Sequence, residues 1–179
     1  MTKLDDNYIV KVFGEIDIDM SKEFISNIIE ISANPTQEIT VLINSEGGCL
    51  YSMFAMHDIM KHIENPILTV GIGQAMSAAA LLLAAGDRRE IFSNTTIMLH
   101  EPNVMDYEGT MSEMSCEFEH MKQLQSQMYK LFAKYTGQTL KKLTGDLQGR
   151  DFYLTAKEAK TYGLVDSIRN IKNTSKTNP

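Results

Sequence analysis

The segment Gly71-Ile-Gly-Gln-Ala-Met-Ser77-Ala-Ala-Ala-Leu-Leu-Leu-Ala-Ala-Gly86 joins a glycine-rich turn to an unbroken apolar run. Between Ala78 and Ala85 no helical spacing yields a polar face, so a helix made from this run belongs inside the protein. Ser77 is the hydroxyl at its mouth, where unpaired N–H groups and the positive end of the helix dipole gather. That position suits an N-cap, for which serine is among the preferred residues. It equally suits the stabilisation of an oxyanion. On this stretch alone the cap is the commoner role, because a nucleophile also needs a base, an orienting group and oxyanion donors from elsewhere in the chain.

The 179-residue sequence as a whole has the means to build a core around such a helix, being 43% hydrophobic and 22% charged, which fits one globular domain. A formal charge of −6 and the absence of a Lys/Arg-rich run argue against a nucleic-acid partner. The acidic N-terminus, Met1-Thr-Lys-Leu-Asp-Asp6, lacks the apolar centre of a secretory signal, and the longest apolar run is too short to span a bilayer. The expectation is a soluble, cytoplasmic protein with no membrane partner. Cys49 and Cys116 form no CxxC pair, which suits a reducing compartment and argues against structural zinc. The twelve methionines read as adaptable packing residues.

Strand and helix signals alternate along the chain. Tyr8 to Phe13 reads as a strand, followed by a helix capped at Asp19 or Ser21 and striped with Phe24, Ile25, Ile28, Ile29 and Ile31. Glu38 to Ile43 is a second strand leading into the turn Asn44-Ser-Glu-Gly-Gly48. Leu50 to Ile63 is a helix stopped by Asn65-Pro66, and Ile67 to Val70 a third strand. After the Ser77 helix come short strands at Glu90 to Phe92 and Thr96 to Leu99. A long helix spans Thr110 to Tyr135, its methionine-rich face expected to pack in the core or against a partner subunit. Thr155-Ala-Lys-Glu158 is a capping-box pattern opening a helix that ends near Gly163, and Leu164 to Ile168 is a last strand. This alternation predicts an α/β domain with a largely parallel sheet over residues 1–171, with a polar, disordered tail over 172–179.

Four histidines and several aspartates are candidates for completing a site at Ser77. His57, His62 and His120 fall on predicted helices, where core or capping roles are commoner. His100 ends the apolar strand Ile97-Met-Leu-His100 and precedes a proline, a place where functional groups commonly stand. Asp146, Asp151 and Asp166 remain equivalent by spacing. Cys49, beside Gly47-Gly48, reads as a small buried residue rather than a nucleophile. The order Ser77, His100, Asp matches neither chymotrypsin, subtilisin nor the α/β-hydrolases, and Ala75 and Ala79 flank Ser77 where a G-x-S-x-G elbow carries glycines.

Several stretches together carry a resemblance. Ile43-Asn-Ser-Glu-Gly-Gly48, Gly73-Gln-Ala-Met-Ser77-Ala, Met98-Leu-His100-Glu-Pro102, Thr136-Gly-Gln138, Gly149-Arg-Asp151-Phe-Tyr-Leu-Thr-Ala156 and Tyr162-Gly-Leu-Val-Asp166 resemble, in register, the motifs of the proteolytic subunit of the Clp protease, the ClpP family. The likeness runs from Ile9 to Ile168. It implies a ClpP/crotonase-like spiral of ββα units with a long protruding handle helix at Thr110 to Tyr135. It also implies a serine endopeptidase acting on unfolded or flexible polypeptides inside an oligomeric ring chamber, with no metal or organic cofactor.

Carried over residue by residue, the resemblance makes Ser77 the nucleophile, His100 the general base and then acid, and Asp151 the carboxylate that orients the imidazole. The oxyanion hole falls to the backbone N–H groups of Gly48 and Ala78. The partners implied are peptide substrates and further copies of the chain, as heptameric rings stacked to a tetradecamer.

Docking of an ATPase unfoldase is argued against by the short N-terminal segment and by Thr40, Leu42 and His62, which stand at aromatic positions of the family's apolar clamp. Glu46 replaces the family's proline, and Gly149 stands where relatives carry an acidic residue beside Arg150. These features describe a short, diverged member of a kind that a phage could encode. The alternative reading is a non-catalytic subunit that joins host Clp rings and alters their docking. An acyl-CoA enzyme of the same crotonase-like fold ranks third, since it has no need of a Ser-His-Asp set.

Overall fold

A computed structural model of the protein describes residues 8–103 and 108–170. The polar tail foreseen at 172–179 lies outside these residues. The first half is a strict alternation: β1 (Ile9–Ile16), α1 (Ile18–Ile31), β2 (Ile39–Gly48), α2 (Leu50–His62), β3 (Ile67–Met76) and α3 (Ala78–Ala84). There follow β4 (Arg88–Phe92), β5 (Thr96–Leu99), α4 (Met111–Thr136), α5 (Leu140–Leu147), β6 (Phe152–Leu154), α6 (Ala156–Tyr162) and β7 (Ser167–Arg169). The sheet runs β1-β2-β3-β4-β7, all parallel, while β5 pairs parallel with the far end of β3 and β6 pairs antiparallel with β5. This is the mixed α/β architecture with a mostly parallel sheet that the alternation predicts.

Strands buried on both faces read as continuous apolar runs, and Ile39, Val41, Ile43, Ile67, Leu68 and Val70 are all buried in the centre of this sheet. Every residue of α3 is fully buried, in contact with β2, β3 and α4. A helix with no polar side chain is stable only in such a place, where each buried leucine contributes about 1.5–3 kcal/mol.

Several local expectations are corrected. The first helix is capped by Asp17, whose carboxylate accepts from Met20 N, and not by Asp19 or Ser21. Ile29 of its predicted stripe is exposed. The strand expected at Ile67 to Val70 continues to Met76, because the stretch after Gly71 pairs with β2 at Ala75 and with β5 at Gln74 to Met76. Glycine and polar residues mask that continuation in the sequence. The long helix is present with a capping box, Thr110 and Glu113 bonding reciprocally. Its face is divided: Leu124, Met128, Tyr129 and Phe132 are buried, whereas Met111, Met114 and Phe118 are exposed. The Thr155–Glu158 capping box and the Gly163 terminus form as predicted.

Candidate active site

Three segments of the sheet converge at the N-terminal end of α3. Ser77 links β3 to α3 with φ 52 and ψ −121, and among the described residues it is the only non-glycine with positive φ. Its N–H donates to Met98 O at 2.7 Å, which ties the turn to β5. Its hydroxyl makes no bond to the helix end. Instead Ser77 Oγ lies 2.7 Å from His100 Nε2, so the cap role, the commoner one for a serine at a helix start, is not the one adopted.

The register explains how His100 arrives there. The pairing of Ala75 with Ile97 and Met76 with Met98 runs β5 alongside the last turn of β3, so the residue after Leu99 emerges beside Ser77. Asp151 comes from the other side. Antiparallel pairing sets Leu99 against Phe152, which makes His100 and Asp151 the next facing pair beyond the strands' ends. Asp151 Oδ1 stands 3.8 Å from His100 Nδ1, close enough for an ion pair but beyond a hydrogen bond, and its side chain is 52% exposed.

The two glycines of the β2–α2 turn are required by contact. A Cβ on Gly47 would lie 2.6 Å from Met76 O and 3.0 Å from Ala78 N, and one on Gly48 would lie 2.4 Å from Ile16 O. Gly47 therefore presses bare backbone against the Ser77 turn, with φ +96, while its N–H is held by the fully buried Ser45 Oγ at 3.0 Å. Ala78 is the first residue of α3, and its N–H has no acceptor within the helix. Gly47 and Ala78 thus meet at the serine from two elements, while Gly48 packs against Ile16 of β1 and lines the same groove.

A groove of about 510 Å³ opens at this point, lined by Ser77 and His100 together with Met98, Met121, Leu124 and Met128. Its rim carries Glu15 and Glu46, and Cys49 lines it as well. The expectation that Cys49 is buried is wrong: the turn that brings Gly48 against β1 leaves its side chain exposed.

The remaining candidates have other partners. Asp146 accepts from Lys142 Nζ and Tyr162 OH, each at 2.7 Å. Asp166 clasps Arg89, whose hydrogen bonds hold its carboxyl below the ordinary range against a smaller opposing effect of burial. His57 is buried between Asp58 and Tyr135 OH, and His120 bonds the Tyr51 hydroxyl on the surface. Of these candidates the structure brings His100 into hydrogen-bond contact with Ser77 and Asp151 to within 3.8 Å of His100. Two contributors went unnoticed in the sequence. Ser45 holds the glycine turn, and Glu101 bonds both Gln125 of α4 and the backbone of Gly149. Only proximity in space marks them, since neither residue type is unusual where it stands.

The site thus holds a serine bonded to a histidine at the head of a buried helix, with the Ala78 N–H lacking a partner within that helix. Residues 1–172 match the family model described as Clp protease, and the chain belongs to that family. It is similar to the ATP-dependent Clp protease proteolytic subunit 2 of Streptomyces avermitilis, 36% identical over 157 residues that cover 86% of this chain and 78% of that protein. Among the described residues no helix is long and apolar enough to cross a membrane.

Proposed function

We propose that the protein is a serine endopeptidase that cleaves unfolded or flexible polypeptides within a cytoplasmic, ring-shaped homo-oligomer. The observation that carries this reading is the 2.7 Å contact between Ser77 Oγ and His100 Nε2 at the head of a buried helix. Ser77 Oγ attacks the scissile carbonyl while His100 Nε2 accepts its proton. The resulting alkoxide is stabilised by the N–H groups of Gly48 and Ala78, in a groove whose methionine and leucine side chains take an apolar substrate residue. His100 then returns the proton to the departing amine, leaving an acyl ester on Ser77. Water activated by the same imidazole hydrolyses the ester and restores both residues. Asp151 orients the imidazole and balances its charge, which requires it to move about 1 Å closer than its present 3.8 Å.

The test is labelling with a fluorophosphonate. Ser77 should become phosphonylated and casein should be degraded, and Ser77→Ala should abolish both. An assembled wild-type protein that resists the reagent overturns the reading.

The His100–Asp151 gap favours one competitor, a non-catalytic subunit that joins the rings of another Clp protease. It predicts co-purification with such a partner and no labelling of the isolated protein. For an ATPase partner, Thr40 is buried within β2, which removes one side chain from the surface that would receive it.

A further inference from the structure

The strand that delivers His100 cannot extend its ladder far toward the facing loop, because Pro102 has no N–H to donate. A side chain makes the connection instead. Glu101 Oε2 accepts from Gly149 N–H at 3.1 Å, and Glu101 Oε1 accepts from Gln125 Nε2 at 2.8 Å. One carboxylate thus joins the residue after His100, the long helix α4, and a backbone group two residues before Asp151.

The loop's other bonds run the opposite way. Gln148 N–H donates to Thr144 O and Arg150 N–H to Leu147 O, while the Arg150 guanidinium donates to Asp146 O and Gly145 O. These fasten the loop to α5 and leave its distance from His100 open. Among the described residues, its one hydrogen bond toward the His100 segment is that to Glu101. The His100–Asp151 pair cannot set the distance by itself, because at 3.8 Å it lacks a directional bond and Asp151 is half exposed.

We propose that Glu101 is a positioning residue: by gripping Gly149 N–H it determines how closely Asp151 approaches the His100 imidazole, and so how well that imidazole is aimed at Ser77. The proposal rests on the serine-peptidase reading. Glu101 touches neither substrate nor reacting atoms, and its effect passes entirely through Asp151. Misplacement of a site group by about 1 Å can cost about 10²-fold in rate, which is the scale expected on its removal.

The experiment measures the rate at which a fluorophosphonate labels Ser77 in the full chain. Glu101→Met keeps the bulk and removes the acceptors, and should slow labelling by about 10–10²-fold with the melting temperature little changed. Glu101→Gln keeps an oxygen for Gly149 and should label close to the wild-type rate. In an Asp151→Asn background, Glu101→Met should produce no further slowing, because the group it positions is already lost.

Equal slowing with and without the Asp151 carboxylate would mean a general structural role and overturns the proposal, as would a Glu101→Met protein that labels at the wild-type rate. A wild-type protein that does not label overturns the peptidase reading itself, a result separable from either of these. Should Glu101→Met not fold, Gln125→Leu frees the same carboxylate from α4. It must then give a smaller slowing that also vanishes in Asp151→Asn, or the proposal falls.

Discussion

Ser77 holds a backbone conformation that belongs to glycine. With φ 52 and ψ −121 it adopts the first central position of a type II′ turn, where a Cβ is unwelcome and strain of about 1–3 kcal/mol is normal. The strain has a use, because it turns the hydroxyl away from the end of α3 and toward His100. Ser77→Gly should therefore raise stability by about 1 kcal/mol in urea unfolding while removing all labelling, the strain relieved exceeding the lost hydrogen bond. A loss of stability would contradict this account. Gly47→Ala should do the reverse of harmless: its Cβ would fall 2.6 Å from Met76 O, so the turn must shift, lowering stability by more than about 1 kcal/mol and slowing labelling together. The role of Ser77 could be weighed from its neighbours, but its conformation could not be read there. Nothing in Gln-Ala-Met-Ser announces a positive φ, which goes with a tie from Ser77 N–H to Met98 O, more than twenty residues away in the chain.

Among the elements, those set by local signals were legible and those set by pairing were not. The run Ala78 to Ala85 foretold a wholly buried helix, and Thr155–Glu158 foretold the cap of α6, because each signal is complete within a few residues. The extension of β3 through glycines, and the three-residue β6, exist because β5 lies between them. Such strands have too little sequence of their own to declare themselves. β4 and β7 illustrate a further tie invisible to spacing. Arg89 reaches Asp166 by a 2.5 Å contact and donates to Tyr135 O and Gly163 O, clamping the ends of α4 and α6 to the sheet. The hydrogen bonds from Arg89 hold the Asp166 carboxyl below the ordinary aspartate range. A depressed carboxylate contributes stability above its unfolded-state pKa and loses it as pH falls through the folded value. Melting temperatures measured from about pH 4 downward should fall less steeply for Asp166→Asn than for wild type.

For the molecule as a whole, α4 carries the most exposed large apolar side chain among the described residues, Met111, and two more close to it. Its C-terminal half packs into the core, while Met111 at 82%, Phe118 at 57% and Met114 at 44% exposure remain in solvent. Residues that touch little within the chain can be changed without unfolding it. On the proposed assembly, Phe118→Asp with Met114→Asp should reduce the native mass to smaller oligomers, with the melting profile of the subunit little changed. An unaltered native mass would remove this face from the assembly. The helix itself was evident from the spacing of its apolar residues. That half of its stripe would be left uncovered was not, because periodicity records which residues share a face and says nothing of what meets it.

The two halves of the site differ in how they are anchored. Ser77 and Ala78 stand at the head of a fully buried helix, whereas Asp151 precedes a strand of three residues at the sheet's margin. Local opening begins at such margins well before global unfolding. On warming, the carboxylate should detach first, so that labelling of Ser77 declines over a range in which circular dichroism still reports a folded chain. The working temperature of the protein would then be limited by its margin rather than by the strength of its core.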